Sequence, residues 1–282
     1  MVLQRIMRRC FLWIFLGLVC SQAFAAQPWE LPFRWVDGYL LVDARVAGHP
    51  ESLTLLVDSG ASVGVLSFAA AERLHLALGA VQPVQGLNAD AVAHHLGRHP
   101  IIAQDAVLGE VQLAVDLARA AELCREPIDG LLGVDFFANR CVQIDFQARH
   151  FRFLTEKPLV GSSVTRVPLR WINEVLCAGV QVNGSSRRWA RLDTGCNDAL
   201  HWVVKASVPR STPRDVTIGF ITEERDLTVA TLTMGKLTLP AVRTSLHPQP
   251  LFRGEAGLLG MGVLGQFRTT VDALRGELIL ER

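Results

Sequence analysis

Two runs of eight residues, Tyr39–Val46 and Val175–Val182, are dense in apolar and β-branched side chains and read as strands. Each is followed by a glycine-bearing turn, Ala47-Gly48 in one case and Asn183-Gly184 in the other. A second apolar run then ends on an acid, as Leu56-Val57-Asp58 and as Arg191-Leu192-Asp193. Val142–Phe146 with Phe151–Leu154, and Thr269–Val271 with Leu278–Leu280, read as closing hairpins. Helical spacing is confined to Phe68–Leu78, with Gly79 as the expected stop, and to short turns after Gly133 and Gly260. The pattern predicts a mainly β chain with few short helices.

The same elements come twice in the same order. Pro32-Phe33-Arg34-Trp35-Val36-Asp37 recurs as Pro168-Leu169-Arg170-Trp171-Ile172-Asn173. Asp58-Ser59-Gly60 recurs as Asp193-Thr194-Gly195, Leu108-Gly109-Glu110 as Met234-Gly235-Lys236, and Gly130-Leu131-Leu132-Gly133 as Gly257-Leu258-Leu259-Gly260. An Asp stands 12 residues after the last glycine of each copy, Asp145 and Asp272. Anchors kept in order at nearly one offset are the signature of an internal duplication. The join falls at Thr155–Thr165, where Lys157, Pro158, Gly161, Ser162 and Ser163 read as a linker. The expected division is a leader of residues 1–25, a first lobe of 26–157 and a second of 158–282, related by an approximate twofold axis.

The leader changes the reading of compartment. Arg5, Arg8 and Arg9 precede an apolar stretch from Cys10 to Cys20, and Ala23-Phe24-Ala25 supplies small residues before a cut, which together read as a secretory signal. The apolar run is short for a membrane span, so an uncleaved anchor is the weaker reading. The expectation is an exported protein, periplasmic or secreted, with no membrane span after cleavage. The 282-residue chain carries 28 Lys+Arg against 27 Asp+Glu, and cutting away three arginines makes it slightly acidic, which argues against a nucleic-acid partner. Of six cysteines, Cys124, Cys141, Cys177 and Cys196 lie beyond the leader. Their even number permits disulfides in an oxidising compartment, and pairing within each lobe, 124 with 141 and 177 with 196, is expected if bonds form.

The chemistry lies in the paired acids. Asp58 and Asp193 each end an apolar strand and are followed by a small hydroxyl residue and a glycine, a loop able to aim amide N–H groups at a carboxylate. Two such loops meeting on a twofold axis would set two carboxylates side by side, where like charges force the pair to keep one proton. The ionised member can then act as base on a shared water while the protonated one polarises a carbonyl. That chemistry hydrolyses an amide without cofactor or metal.

These motifs resemble the aspartic peptidases, and the sequence of Val-x-Gly, strand, Asp-Ser/Thr-Gly and Leu-Leu-Gly most resembles the retropepsin-like branch. The resemblance spans nearly the whole chain after the leader, twice. It implies two closed β-barrel lobes in a single-chain pseudo-dimer, acting as a monomer on peptide or protein substrates. It gives Asp58 and Asp193 the catalytic roles, with Ser59, Gly60, Ser62, Thr194, Gly195 and Asn197 supporting the two loops; Ser59 and Thr194 take interlobe hydroxyl bonds. Gly133 and Gly260 take the place where a strand passes behind the loop. Flaps are expected around Gly86–Gly97 and Gly219–Asp226, with Gly86, Leu87, Gly219 and Phe220 against substrate. Cys196-Asn197 stands where the family usually has Ala, Ser or Thr, which keeps open the alternative of a non-catalytic peptide-binding protein on the same scaffold. The one tyrosine, Tyr39, precedes the first motif, so a pepsin-type flap tyrosine is absent.

Other candidates have plainer readings. His94, His95 and His99 read as a solvated loop rather than a metal site. Trp35 and Trp171, at equivalent repeat positions, read as core packing. Asp145 and Asp272 lack the glycine context and read as structural.

Overall fold

A computed structural model describes residues 29–85, 90–156, 163–204 and 227–282. The first half lays down β1 (Trp29–Pro32), β2 (Arg34–Val36), β3 (Tyr39–Val46), β4 (Leu53–Val57), β5 (Gly64–Ser67), helix α1 (Phe68–Arg73), β6 (Val81–Gln85), β7 (Asp90–Ala103) and β8 (Ala106–Val115). Helix α2 (Ala118–Cys124), β9 (Gly130–Leu132), a 3-10 turn at Val134–Phe136, β10 (Cys141–Asp145) and β11 (His150–Leu154) complete it. The second half consists of β12 (Val164–Ile172), β13 (Val175–Val182), β14 (Arg188–Leu192), β15 (Leu200–Val203), β16 (Leu227–Met234), β17 (Leu237–His247), β18 (Gly257–Leu259), helix α3 (Met261–Leu264), β19 (Arg268–Asp272) and β20 (Glu277–Glu281). The chain is mainly β, as the pattern predicts.

Each half closes a six-strand barrel. In the first, the pairing order is β3-β4-β9-β5-β8-β7, with β7 returning to β3. In the second it is β13-β14-β18-β15-β17-β16, with β16 returning to β13. The senses match as well. β4 with β9 and β14 with β18 run parallel, and so do β5 with β8 and β15 with β17. A parallel neighbour on a strand flanked on its other side as well leaves little backbone open to water, which is why Leu55-Leu56-Val57 and Gly130-Leu131-Leu132 are unbroken apolar runs.

A further sheet joins the two halves. Its order is β1-β11-β10-β19-β20-β12, antiparallel throughout, and it contains both closing hairpins. Gln143 faces Thr270 at its centre, and the Gln143 amide donates to the Thr270 hydroxyl at 3.3 Å. Asp145 and Asp272 accept the amides of Ala148 and Arg275 and so close their hairpin turns, the structural role expected of them.

One apolar core runs through both halves, and a smaller one lies in the first. Leu40, Val42, Ala44 and Val46 of β3 enter the common core, while Tyr39 and Leu41 point the other way, under α2 with Leu117, Ala120 and Cys124. Both faces of β3 are thus covered over Tyr39–Val42, and polar alternation starts only beyond α2, where Asp43 is exposed and Arg45 half-buried between inward Ala44 and Val46.

Several expectations need correction. Helix α1 ends at Arg73 rather than Leu78. His75 takes a left-handed conformation, φ 54°, and the amides of His75 and Leu76 turn back to Glu72 and Ala71 in a Schellman stop. Helix α2 has no counterpart in the predicted elements. The residue that caps it, Leu117, offers no side-chain bond, and its C-terminal residue in left-handed conformation is Arg125 rather than glycine. Trp35 packs on Phe146 at 4.8 Å, but its repeat partner Trp171 is 48% exposed on β12 and is no core residue. His94, His95 and His99 lie on β7 rather than in a loop, with His94 edge-on to Phe68. The cysteines after the leader are all free and buried, so the expected pairings do not form. The leader and most of the linker lie outside the described residues.

Candidate active site

β4 and β14 deliver Asp58 and Asp193 to the seam between the lobes. Each acid's loop is pinned from behind in the same way. The amide of Asp58 donates to Leu132 and that of Val134 to Ala61; the amide of Asp193 donates to Leu259 and that of Met261 to Cys196. The pinning requires Gly133 and Gly260. A Cβ on Gly133 would lie 2.6 Å from the Val63 carbonyl carbon, and one on Gly260 would meet the carbonyl oxygens of Asp198 and Cys196.

Below the acids, the two loops hold each other. The Ser59 amide donates to Thr194 Oγ1 at 2.9 Å, and Thr194 Oγ1 donates to the Val57 carbonyl at 2.7 Å. Reciprocally, the Thr194 amide donates to Ser59 Oγ at 3.0 Å, and Ser59 Oγ donates to the Leu192 carbonyl at 2.7 Å. Both hydroxyls are fully buried, so each of these bonds satisfies a backbone group that water cannot reach.

This lattice brings the carboxylates together. A Cβ on Gly60 would sit 2.6 Å from the carboxylate carbon of Asp193, and one on Gly195 would sit 2.5 Å from that of Asp58. Each glycine therefore lies against the opposite acid. Asp58 Oδ1 accepts the amides of Gly60, at 2.9 Å, and Ala61, at 3.2 Å. Asp193 Oδ1 accepts that of Gly195 at 2.9 Å. Among the described residues, Oδ2 of Asp58 is sealed and meets no N–H or hydroxyl donor; a proton on Asp193 supplies one. Burial pushes both carboxyls above the usual aspartate range, Asp193 well above it, where the charge of Asp58 adds to the effect.

The surroundings hold groups that the motif reading did not single out. Arg191, two residues before Asp193, is buried and doubly bonded to Glu255, Nε to Oε2 at 2.7 Å and Nη2 to Oε1 at 2.6 Å. Its Nη1 crosses the seam to the Gly60 carbonyl at 2.7 Å, and its guanidinium carbon lies 3.4 Å from the centre of the Phe252 ring. The signal was present in the repeat, since the matching residue of the first copy is Leu56. Asn197 is exposed, its Cβ against Gly38, and its side-chain amide reaches the Asp37 carbonyl at 3.5 Å instead of supporting the loop. Cys196 is buried beside Asp193 and Asp198, with its thiol pushed up by burial.

Two cavities flank the seam. One of about 500 Å³ is lined by Ser62, Gln82, Val84, Asn173, Arg191 and Phe252, so β6, which leads into the expected flap, shares it with Ser62 of the first loop. The other, about 380 Å³, is lined on the second lobe by Asn197, Leu227, Leu239, Val242 and Arg243 among others. Gly86, Leu87, Gly219 and Phe220, the expected flap contacts, lie outside the described residues. Among the described residues, Cys196, Asp198 and His201 form a grouping whose donor atoms lie within 4.8 Å and could share a cation. His201 is already engaged there, Nε2 with Asp198 and Nδ1 with His247, both at 3.0 Å.

Two buried carboxylates of raised proton affinity, each against the other loop's glycine, are equipped to hold a shared proton and activate water. Residues 42–136 match the family model for aspartyl proteases. The matched span contains Asp58-Ser59-Gly60 and Leu131-Leu132-Gly133, and it supports a hydrolase of the aspartyl protease kind. No curated protein matches the chain.

Proposed function

We propose that the protein is a single-chain aspartic endopeptidase in which Asp58 and Asp193, one from each lobe, form the catalytic dyad. The observation that carries this reading is the reciprocal Ser59–Thr194 bonding, which sets each loop's glycine against the other loop's carboxylate. The ionised acid takes a proton from water, which attacks the peptide carbonyl while the protonated acid donates to the carbonyl oxygen. The tetrahedral adduct collapses as a proton passes to the leaving amine. Ser59, Thr194, Gly60 and Gly195 hold the acids in place, and Ser62 lines the cleft.

The same reading takes the chain as a tandem duplication with lobes 26–157 and 158–282, a view supported by the identical pairing order of the two barrels. It makes the enzyme active as a monomer, exported through the leader of residues 1–25, with peptides or proteins as substrates. No helix among the described residues is long and apolar enough to cross a membrane. The test is cleavage of a mixed peptide library across pH, with and without a statine-type inhibitor. Cleavage that the inhibitor abolishes supports the reading, and an uncut library at every pH contradicts it in favour of the peptide-binding alternative.

A further inference from the structure

The two halves of the pair are not equivalent, and the difference lies in one peptide group. The carbonyl of Gly60 and the amide of Ala61 belong to the same peptide unit. Its carbonyl accepts from Arg191 Nη1 at 2.7 Å, and its N–H is shared between Asp58 Oδ1 and the Asp58 carbonyl, each at 3.2 Å. A guanidinium on the carbonyl end fixes the orientation of that peptide and polarises its N–H toward the carboxylate. Arg191 is itself immobile, because both oxygens of Glu255 grip it, Phe252 stacks on it, and Asn173 Nδ2 holds Glu255 Oε1 at 3.1 Å. In the other half, Leu56 occupies the matching strand position and has no donor to offer the Gly195–Cys196 peptide. Asp58 thus accepts two loop amides where Asp193 accepts one.

We infer that Arg191, clamped by Glu255, is a positioning residue that makes Asp58 the ionised base of the pair and leaves the shared proton on Asp193. This rests on the dyad reading above. The charged and titratable groups around the pair are compatible with it. Asp58 faces Asp193, Arg191 and Cys196; Asp193 faces Asp58, Arg191, Cys196 and Tyr39. Arg191 faces Glu255 and Cys177 besides the pair. Cys196 and Tyr39 are neutral, since burial pushes both upward, so Arg191 is the one cation among these neighbours.

The experiment is a carboxyl-¹³C NMR titration of aspartate-labelled protein in the D58N and D193N backgrounds, each with and without R191M/E255M. The double variant removes the guanidinium without stranding the Glu255 charge. R191K, which has a single point of charge in place of the fork, serves as a second variant. The expected result is that Asp58, in D193N, titrates at lower pH than Asp193 does in D58N. R191M/E255M raises the Asp58 titration by about one pH unit and Asp193 by less, with R191K intermediate. In the enzyme with both acids intact, the acid limb of the kcat profile moves upward with KM little changed. A lower titration for Asp193, equal shifts in both acids, or a fall in melting temperature with no shift in R191K and in the double variant overturns the inference. If the parent cleaves no peptide, the peptidase reading fails separately, because the titrations need no substrate.

Discussion

At the scale of single residues, the site depends on hydroxyls that serve two backbones at once. Thr194→Val keeps the shape of the side chain but strands the Ser59 amide and the Val57 carbonyl in a dry interior. A loss of about 1–3 kcal/mol is expected, measured by denaturant unfolding, and Ser59→Ala has a similar cost because the bonds are reciprocal. The acids act in the opposite direction. Asp193 has a raised folded-state affinity for its proton, so its contribution to stability is present in acid, below the ordinary aspartate value of 3.8, and is lost as pH rises through the raised folded value. Asp193→Asn, which cannot ionise, is therefore expected to melt higher than the parent at neutral pH, with the gap closing as pH falls toward 3.8; a gap that widens in acid contradicts the raised affinity. The acids and their hydroxyl partners were legible in sequence because the motif occurs twice. Arg191 was visible only as a mismatch with Leu56 in the repeat, and its pairing with Glu255 was not, since they meet across 64 residues and an arginine near a strand end reads as solvated until the fold brings its partner.

At the scale of elements, the strands that lead into the acids and those of the closing hairpins were legible nearly to the residue, while β5 to β8 and β15 to β17 were not bounded from the pattern. Tyr39–Val46 and Val175–Val182 are reproduced as predicted, because strands covered on both faces for half their length or more are dense in apolar residues, with polar side chains only toward their ends at Asp43, Arg45 and Gln181. The helices were less so. Gly79 looked like the stop of α1, but the chain turns left-handed earlier, at His75, and Leu76 then packs on the core. His75→Gly should remove the side-chain cost of that conformation and raise stability by a few tenths to about 1 kcal/mol, read as a higher denaturant midpoint at unchanged slope. Helix α2 was invisible because seven residues give periodicity little to act on and the acid that accepts its first amide, Asp116, stands one residue ahead of the capping position. Trp171 shows the limit of arguing from a repeat. Its counterpart Trp35 rests on Phe146, whereas Trp171 faces solvent, so matched positions share a backbone place without sharing a neighbour.

At the scale of the whole molecule, the joining sheet ties both halves into one body, and the pairing of β10 with β19 is made within one chain. Specific activity is therefore expected to stay constant on dilution, and a steep fall would place the second acid on another copy. The thiols report on the same integrity. Cys124, Cys141 and Cys177 are buried, with proton affinities pushed up to about 12, and Cys196 is buried as well. All should resist a thiol reagent in the folded protein and react together on unfolding; a disulfide found by non-reducing peptide mapping contradicts this. The pseudo-symmetry itself was legible from the repeated anchors, and so were its breaks at Arg191 and Asn197, but the contacts these two side chains make, with the Gly60 and Asp37 carbonyls, emerged only with the fold. The most direct test of the account is the turnover of a cleaved peptide by Asp58→Asn and by Asp193→Asn, each shown by its melting curve to be folded. The account predicts that both lose activity by about a thousandfold or more, since neither acid can be base and proton donor at once. Near-parental turnover in either variant would contradict it.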